Sequence, residues 1–154
     1  MRRGNQRGLT LVELIVAFTI MLILTTMAVP LARTKVRVER ELELRAALDE
    51  VRHAIDQYHD LNMVGYFGPV KEGTNWYPET LDILVTGAKR NDANGTKMKF
   101  LRRIPRDPFT GKAEWGMRSD QDDPTSQSWG GQNVFDIYSK SNDTGSDGTP
   151  YSEW

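Results

Sequence analysis

The sequence predicts an α+β chain in which one long N-terminal helix carries a small C-terminal antiparallel β-sheet and loops. Three observations support this fold class. Apolar residues crowd the first thirty positions. Apolar residues then recur at helical spacing as far as residue 61. Beyond that point glycine and proline interrupt the chain, and short segments alternate apolar and polar residues as half-buried strands do.

Residues 1–8 form a short leader whose only charged side chains are three arginines. The next segment, 9–32, is apolar except for Glu13, and the 18 residues 14–31 carry no charge. This length is close to the minimum for a transmembrane helix, since the hydrocarbon core of a bilayer is ~30 Å thick. The basic leader predicts a cytoplasmic N-terminus and an exported remainder. The basic residues between 33 and 37 weakly favour the opposite orientation.

Glu13 separates this N-terminus from two simpler interpretations. A secretory signal peptide has a shorter apolar core of ~7–15 residues with a small-residue cleavage site after it. A plain membrane anchor explains the length of the apolar segment. It does not explain a carboxylate near the start of an apolar helix, which is costly and usually functional.

The octapeptide RGLTLVEL, residues 7–14, resembles the processing site of type IV prepilins and their secretion-system relatives. The resemblance implies that a prepilin peptidase/methyltransferase cuts between Gly8 and Leu9 and methylates the new amine of Leu9. Most members of the family have Phe where this chain has Leu9. Glu13 lies one helical turn from that amine and is expected to neutralise it in the same or a neighbouring subunit. In the family the neighbour's amine is favoured and sets the axial register. The alternative is that Glu13 contacts lipid headgroups.

Pro30 matches a proline that is common late in the anchor helix of this family. Proline removes a helical hydrogen bond and clashes with the preceding turn. The family resemblance implies that the segment before Pro30 becomes extended on assembly. A modest kink in a continuous helix is the alternative.

Residues 33–61 are predicted to continue the helix in amphipathic form. Its apolar stripe is interpreted as the seat of the C-terminal domain rather than a cofactor site, and consists of Leu44, Leu48, Val51, Ile55 and Tyr58. Glu41 and Arg45 are spaced as a surface ion pair. His53 and His59 are six residues apart, on opposite faces of a helix, so they are predicted to be surface residues rather than ligands of one metal.

Residues 62–154 are predicted to form the exported, periplasmic globular domain. Tyr77–Leu84 indicates a loop that leads into a short helix, with Pro78 or Thr80 near its start. Residues 90–95 indicate a polar turn. Segments 114–117 and 134–139 alternate as half-buried strands do. The loop between them carries three aspartates that are interpreted as solvated surface, with a bound cation as the alternative: Asp120, Asp122 and Asp123.

The exported domain extends the resemblance. Its successive motifs are similar in type and order to those of the major pseudopilins of the type II secretion system: Tyr77-Pro78, 101–108, 135–139 and the terminal Trp154. The resemblance implies a short helix and a small antiparallel sheet packed on the long helix. It also implies a structural subunit of a periplasmic filament. The expected partners are other copies of the chain, minor pseudopilins, an inner-membrane assembly platform and the lipid bilayer.

The resemblance further implies a calcium ion in the last loop, because major pseudopilins have acidic residues there. Asp143 and Asp147 match those positions, and a glycine-rich loop lets backbone carbonyls converge on a hard cation. Pro150 and Tyr151 depart from the pattern, where an acidic residue is expected. The alternative is a polar loop whose aspartates only cap turns.

Composition excludes several classes of function. The chain has no cysteine, which removes thiol catalysis and cysteine-ligated metals. No phosphate-binding loop, zinc spacing or nucleophile with a base is present, so an enzyme is not expected. A net charge of −1 does not favour nucleic acid as a partner. Two alternatives remain open: a surface type IV pilin for adhesion, motility or DNA uptake, and a membrane-anchored binding module that does not polymerise.

Overall fold

A computed structural model describes residues 10–154 of the chain, with the side chains of residues 27–33 left aside. The described elements confirm the α+β class. In chain order they are α1 (Leu11–Met63), α2 (Asp82–Thr86), β1 (Ala88–Lys89), β2 (Lys97–Met98), β3 (Gly116–Arg118), β4 (Asp136–Tyr138) and a 3-10 turn (Tyr151–Glu153). The chain divides into two compact units, one ending at Glu39 and the other comprising Arg40–Trp154. Helix α1 contributes residues to both.

The C-terminal end of α1 is set by a glycine. Gly65 has φ +78°, a left-handed conformation that residues with a side chain rarely adopt. The Gly65 N–H binds the Asn62 carbonyl at 2.9 Å and the Tyr66 N–H binds the Leu61 carbonyl at 3.1 Å. These two bonds form a Schellman motif, which satisfies the last helical carbonyls. The helix therefore continues to Met63, two residues beyond the predicted end.

The core of the second unit forms along one stripe of α1. Leu44, Val51 and Ile55 are 0% exposed and Leu48 is 1% exposed, which confirms the predicted stripe. Tyr58 completes it at 7% exposure. The side chains that pack with the stripe come from every later part of the unit and include Leu84, Leu101, Trp115, Val134, Ile137 and Tyr151.

The predicted short helix is α2. It begins at Asp82, and the turn that leads into it starts at Thr80, whose carbonyl accepts the Ile83 N–H at 3.3 Å. Strands β1 and β2 follow as an antiparallel hairpin joined through the predicted polar turn at 90–95. The hairpin was not predicted, because each strand has only two residues and shows no alternating pattern.

Strands β3 and β4 pair antiparallel, with Gly116 opposite Tyr138 and Arg118 opposite Asp136. They confirm the two predicted strands but are shorter. The Tyr138 ring covers Gly116 so closely that a Cβ at this position would lie 2.1 Å from the ring carbon Cζ. Among the described residues the predicted small antiparallel sheet takes the form of two separate two-stranded ribbons. The strands have only two or three residues each, which is too short for a strand of one ribbon to pair with a strand of the other.

Candidate functional site

The predicted processing site lies outside the described residues. The leader 1–8, the cleavage position Gly8 and the methylation position Leu9 all belong to this part of the chain. Cleavage and methylation therefore stay predictions.

Glu13 lies in the first turn of α1 and is exposed. The hydroxyl oxygen of Thr10 accepts the Glu13 backbone N–H at 3.3 Å, and the Thr10 carbonyl accepts the Leu14 N–H at 3.2 Å. Thr10 is thus the N-cap, and Thr10 to Glu13 has the spacing of a capping box. A carboxylate in the first turn also interacts favourably with the positive end of the helix dipole. This spacing is visible in the sequence, but the assembly prediction for Glu13 did not include helix capping.

The helix that follows Glu13 is apolar on every face. Its large apolar side chains from Leu11 to Leu24 are between 43% and 76% exposed. A helix that is apolar all round is normally covered by lipid or by other helices. The first unit therefore presents a surface that is suited to burial outside this chain.

Threonines within this apolar segment bind the backbone of the preceding turn. The Thr19 hydroxyl donates to the Ile15 carbonyl at 2.7 Å, and the Thr25 hydroxyl donates to the Met21 carbonyl at 2.7 Å. A hydroxyl that finds a carbonyl partner in its own helix avoids the cost of burial without a hydrogen bond. This role was not predicted, although threonine within an apolar run is a sequence signal for it.

Pro30 lies inside α1, which is helical on both sides of it. Its side chain is among those of residues 27–33, outside the described side chains. The extended conformation expected before Pro30 concerns the assembled filament and stays a prediction. Among the described residues, no helix is apolar over a stretch long enough to cross a membrane. The predicted anchor, 9–32, includes Leu9 and the side chains of 27–32, which lie outside the described part of the chain.

The C-terminal loop, defined as residues 143–151, closes on itself. The Gly145 N–H donates to the Thr149 carbonyl at 2.7 Å, and the Tyr151 N–H donates to the Asp143 carbonyl at 3.1 Å. One carboxylate oxygen of Asp147 accepts the Thr149 N–H at 2.9 Å. Both predicted calcium ligands, Asp143 and Asp147, belong to this loop and are exposed.

Glu41 of α1 binds this loop. Its side chain is buried, and one oxygen accepts the Ser146 N–H at 2.8 Å while the other accepts the Ser146 hydroxyl at 2.5 Å. The Tyr151 hydroxyl also donates to Glu41, at 2.9 Å. The Tyr151 ring is stacked on Phe109 with centroids 4.1 Å apart. These bonds join α1 to the end of the chain across more than one hundred residues of sequence.

Arg45 reaches the same loop from the next turn of α1. Its guanidinium lies 3.5 Å from an Asp147 carboxylate oxygen and 4.3 Å from the centre of the Trp154 ring. The predicted helix-surface pair, Glu41 and Arg45, thus consists of two residues that contact one loop. The sequence identified their shared face but not the loop.

The arrangement of the loop fits a calcium ion poorly. Calcium takes 6–8 oxygen ligands, whereas the Asp147 carboxylate faces the Arg45 guanidinium and a backbone N–H. No group of three or more His, Asp or Glu side chains in the described part of the chain is arranged to hold a metal. The calcium prediction stays a prediction that chelation can test.

The segments that resemble major pseudopilins meet in the core. Asp107 and Ser139 are both 0% exposed, and the Ser139 hydroxyl donates to Asp107 at 2.6 Å. The second Asp107 oxygen accepts the Phe109 N–H at 2.8 Å. The carbonyl of the buried Pro78 accepts the Val134 N–H at 2.8 Å. Asp107 therefore organises the turn after it and binds β4 to that turn.

Two arginines bind the last residues of the chain to the second ribbon. Arg52 donates to Asp136 at 2.7 Å and to the Trp154 carbonyl at 2.7 Å. Arg118 is 5% exposed and donates to the Ser152 carbonyl at 2.7 Å. The sequence contains no signal for these contacts, because an arginine that binds distant backbone is indistinguishable from a surface arginine.

The histidines and the acidic loop have structural roles in the described protein. His53 is exposed, and the half-buried His59 is stacked on Tyr77 with ring centroids 4.2 Å apart. Asp122 accepts the backbone N–H of Ser119 at 2.7 Å and that of Gly130 at 3.0 Å. These bonds lower the pKa of the Asp122 carboxyl because they favour its charged form. Asp122 therefore shapes the loop that was predicted only to be solvated.

Comparison with known proteins identifies the N-terminal region. Residues 3–29 match the family model of the prokaryotic N-terminal methylation motif. This match spans the cleavage position, Glu13 and most of the apolar segment. No curated protein and no solved structure matches the chain.

Proposed function

We propose that the chain is a major pseudopilin. In this role it is the structural subunit of the periplasmic pseudopilus of a type II protein secretion system. The match of residues 3–29 to the prokaryotic N-terminal methylation motif supports a type IV pilin-like protein. The precursor is inserted in the inner membrane with its leader in the cytoplasm. A prepilin peptidase/methyltransferase then cuts between Gly8 and Leu9 and methylates the Leu9 amine.

Assembly in this proposal uses the exposed apolar surface of the first unit. Helices from neighbouring subunits cover the apolar side chains between Leu11 and Leu24, which are at least 43% exposed in the single chain. The exposed Glu13 carboxylate forms an ion pair with the protonated N-terminal amine of a neighbouring subunit. This pairing is favourable because a charged amine buried without a partner is costly. An inner-membrane platform and minor pseudopilins are the other proposed partners, and the role is structural rather than catalytic.

The observation that carries the secretion assignment is the contact between Asp107 and Ser139. These residues come from two of the segments whose order resembles major pseudopilins, and they bind each other at 2.6 Å in a fully buried position. The resemblance therefore rests on segments that form one structural unit. The absence of cysteine also favours this assignment over surface pilins, many of which close the C-terminal region with a disulfide.

The first experiment tests processing. Intact-mass analysis of the protein from its native membrane is expected to show loss of residues 1–8 and the addition of one methyl group. Gly8→Ala is expected to retain the leader, because the peptidase recognises that glycine in the family. A native protein that keeps Met1 would show that the chain is not processed as a pilin is. The assignment would then be a membrane-anchored binding module.

The second experiment tests assembly and secretion. Glu13→Ala is expected to be processed normally but to yield almost no filaments, whereas Glu39→Ala, an exposed glutamate further along α1, is expected to assemble as wild type. Deletion of the gene is expected to leave secreted enzymes trapped in the periplasm. Loss of surface filaments with normal secretion would instead identify a surface type IV pilin.

A further inference from the structure

We propose that the C-terminal loop, residues 143–151, is held on α1 by Glu41 and Arg45 in place of a metal ion, so that the fold of the second unit is independent of calcium. The proposal concerns the folded chain and holds whether the filament is a pseudopilus or a surface pilus. In this proposal Glu41 and Arg45 of α1 stabilise the loop, which is the role that the sequence assigned to calcium.

The first argument is the position of the Glu41 carboxylate. It is 6% exposed and is directed at the middle of the loop, where it accepts two hydrogen bonds from Ser146 and one from Tyr151. An ionised carboxylate only accepts hydrogen bonds, and its bonds to protein donors are stronger than those between neutral groups. A calcium ion brings loop oxygens together around a positive charge. Here the buried charge is negative, and it brings together loop donors.

The second argument is the charge beside the loop. The Arg45 guanidinium lies 3.5 Å from the carboxylate of Asp147, one of the two predicted calcium ligands of the loop. A permanently charged guanidinium at this distance competes with a second cation for the carboxylate, an effect that solvent screens because the two side chains are 59% and 45% exposed. Arg45 also lies over the Trp154 ring, with its central carbon 4.3 Å from the ring centre. It therefore connects the loop to the terminal residue.

The third argument is packing. Tyr151 is 0% exposed and its ring contacts both Phe109 and Trp154. Gly145 lies so close to Trp154 that a Cβ there would be 2.5 Å from the indole ring. Phe109 and Trp154, which lie outside the loop, thus pack against it beside the Glu41 contact.

The test uses the full processed chain in detergent micelles. Thermal unfolding followed by circular dichroism is expected to give the same Tm in excess EDTA and in millimolar calcium chloride. Glu41→Gln is expected to lower the Tm by about 5 °C, because it removes the negative charge that strengthens these hydrogen bonds and leaves one acceptor oxygen where the carboxylate has two. The control Glu39→Gln changes an exposed glutamate two residues earlier and is expected to leave the Tm unchanged.

Hydrogen exchange measured by mass spectrometry supplies a local readout. In the wild type, the loop amides of Gly145, Ser146 and Tyr151 are expected to be protected equally with and without EDTA. In Glu41→Gln they are expected to exchange faster while the amides of α1 stay protected.

Three outcomes would overturn the proposal. They are a rise in the wild-type Tm on addition of calcium, loss of loop protection in EDTA, and unchanged loop protection in Glu41→Gln. Asp147→Asn gives a check that does not depend on the folding of Glu41→Gln. If Asp147 is a calcium ligand, a rise in Tm on addition of calcium will be seen in the wild type and will be lost in Asp147→Asn.

Discussion

The two halves of α1 bury their apolar residues in different ways. Between Leu11 and Leu24 the large apolar side chains are 43–76% exposed, whereas Leu44, Val51 and Ile55 are 0% exposed. The first half is apolar on every face, and the second half has charged residues opposite one apolar stripe. One helix therefore contains a half whose burial needs other molecules and a half whose burial is completed by its own chain.

This contrast separates two kinds of stability. The second unit has a core of its own, to which the helix, both β-ribbons and the last turn contribute. In the first unit the described residues belong to α1 and its cap, and their apolar surface is available for assembly. Substitutions in the two halves should therefore affect different measurements.

The largest effect that tests this contrast is expected from Leu48→Ala. The side chain is 1% exposed, so its removal should lower the free energy of unfolding of the second unit by about 3 kcal/mol through lost burial and a residual cavity. Leu22→Ala makes the same chemical change at a residue 67% exposed and should leave this free energy unchanged. Chemical denaturation of both variants in micelles measures the difference. An equal decrease in the free energy of unfolding in the two variants would contradict the contrast between the two halves of α1.

A smaller effect is expected from the polar part of the core. Ser139→Ala removes the hydroxyl that donates to the buried Asp107 and should cost about 1–3 kcal/mol, because the carboxylate then lacks one donor. Ser128→Ala, at an exposed position, is the matched control and should cost nothing measurable. Denaturant midpoints are the measurement. A midpoint for Ser139→Ala equal to that of the control would mean that the Asp107 turn does not need β4.

The smallest effect is expected from Asp122, and it depends on pH. Because the folded-state pKa of Asp122 is lowered, its contribution to stability is fully present above the ordinary aspartate pKa of about 3.9. That contribution is lost as the pH falls from there through the lowered value. Asp122→Asn should therefore have a slightly lower Tm than wild type at pH 7, and the difference should shrink towards zero near pH 2. A difference that stays constant with pH would show that the charge of Asp122 is not what orders the loop.

Much of the helical architecture could be predicted from the sequence. The stripe from Leu44 to Tyr58 repeats with the helical period, and α2 was predicted within a few residues because proline and threonine mark the turn before it. The hairpin of β1 and β2 and the separation into two ribbons could not be predicted. Strands of two or three residues carry too few positions to show an alternation.

The candidate site was less accessible than the helix. Asp143 and Asp147 were predicted as calcium ligands from the resemblance of one loop to that of major pseudopilins, but the carboxylate that contacts the centre of that loop is Glu41, 105 residues away from Ser146. Glu41 was interpreted as half of a surface pair with Arg45, because only their spacing along α1 is visible in the sequence. Both residues do lie on one face, and that face contacts the loop.

The sequence alone determined the basic N-terminal residues, the apolar segment with its single carboxylate, and the buried face of α1. These features depend on local composition and on the helical spacing of apolar residues, both of which are properties of residues that are close in sequence. Only the tertiary structure decided the distant partners of Glu41, Asp107 and Arg118, which lie between 8 and 110 residues away. A polar side chain forms hydrogen bonds with whichever groups the folded chain places next to it. The spacing of residues along one helix does not specify which distant loop packs against that helix.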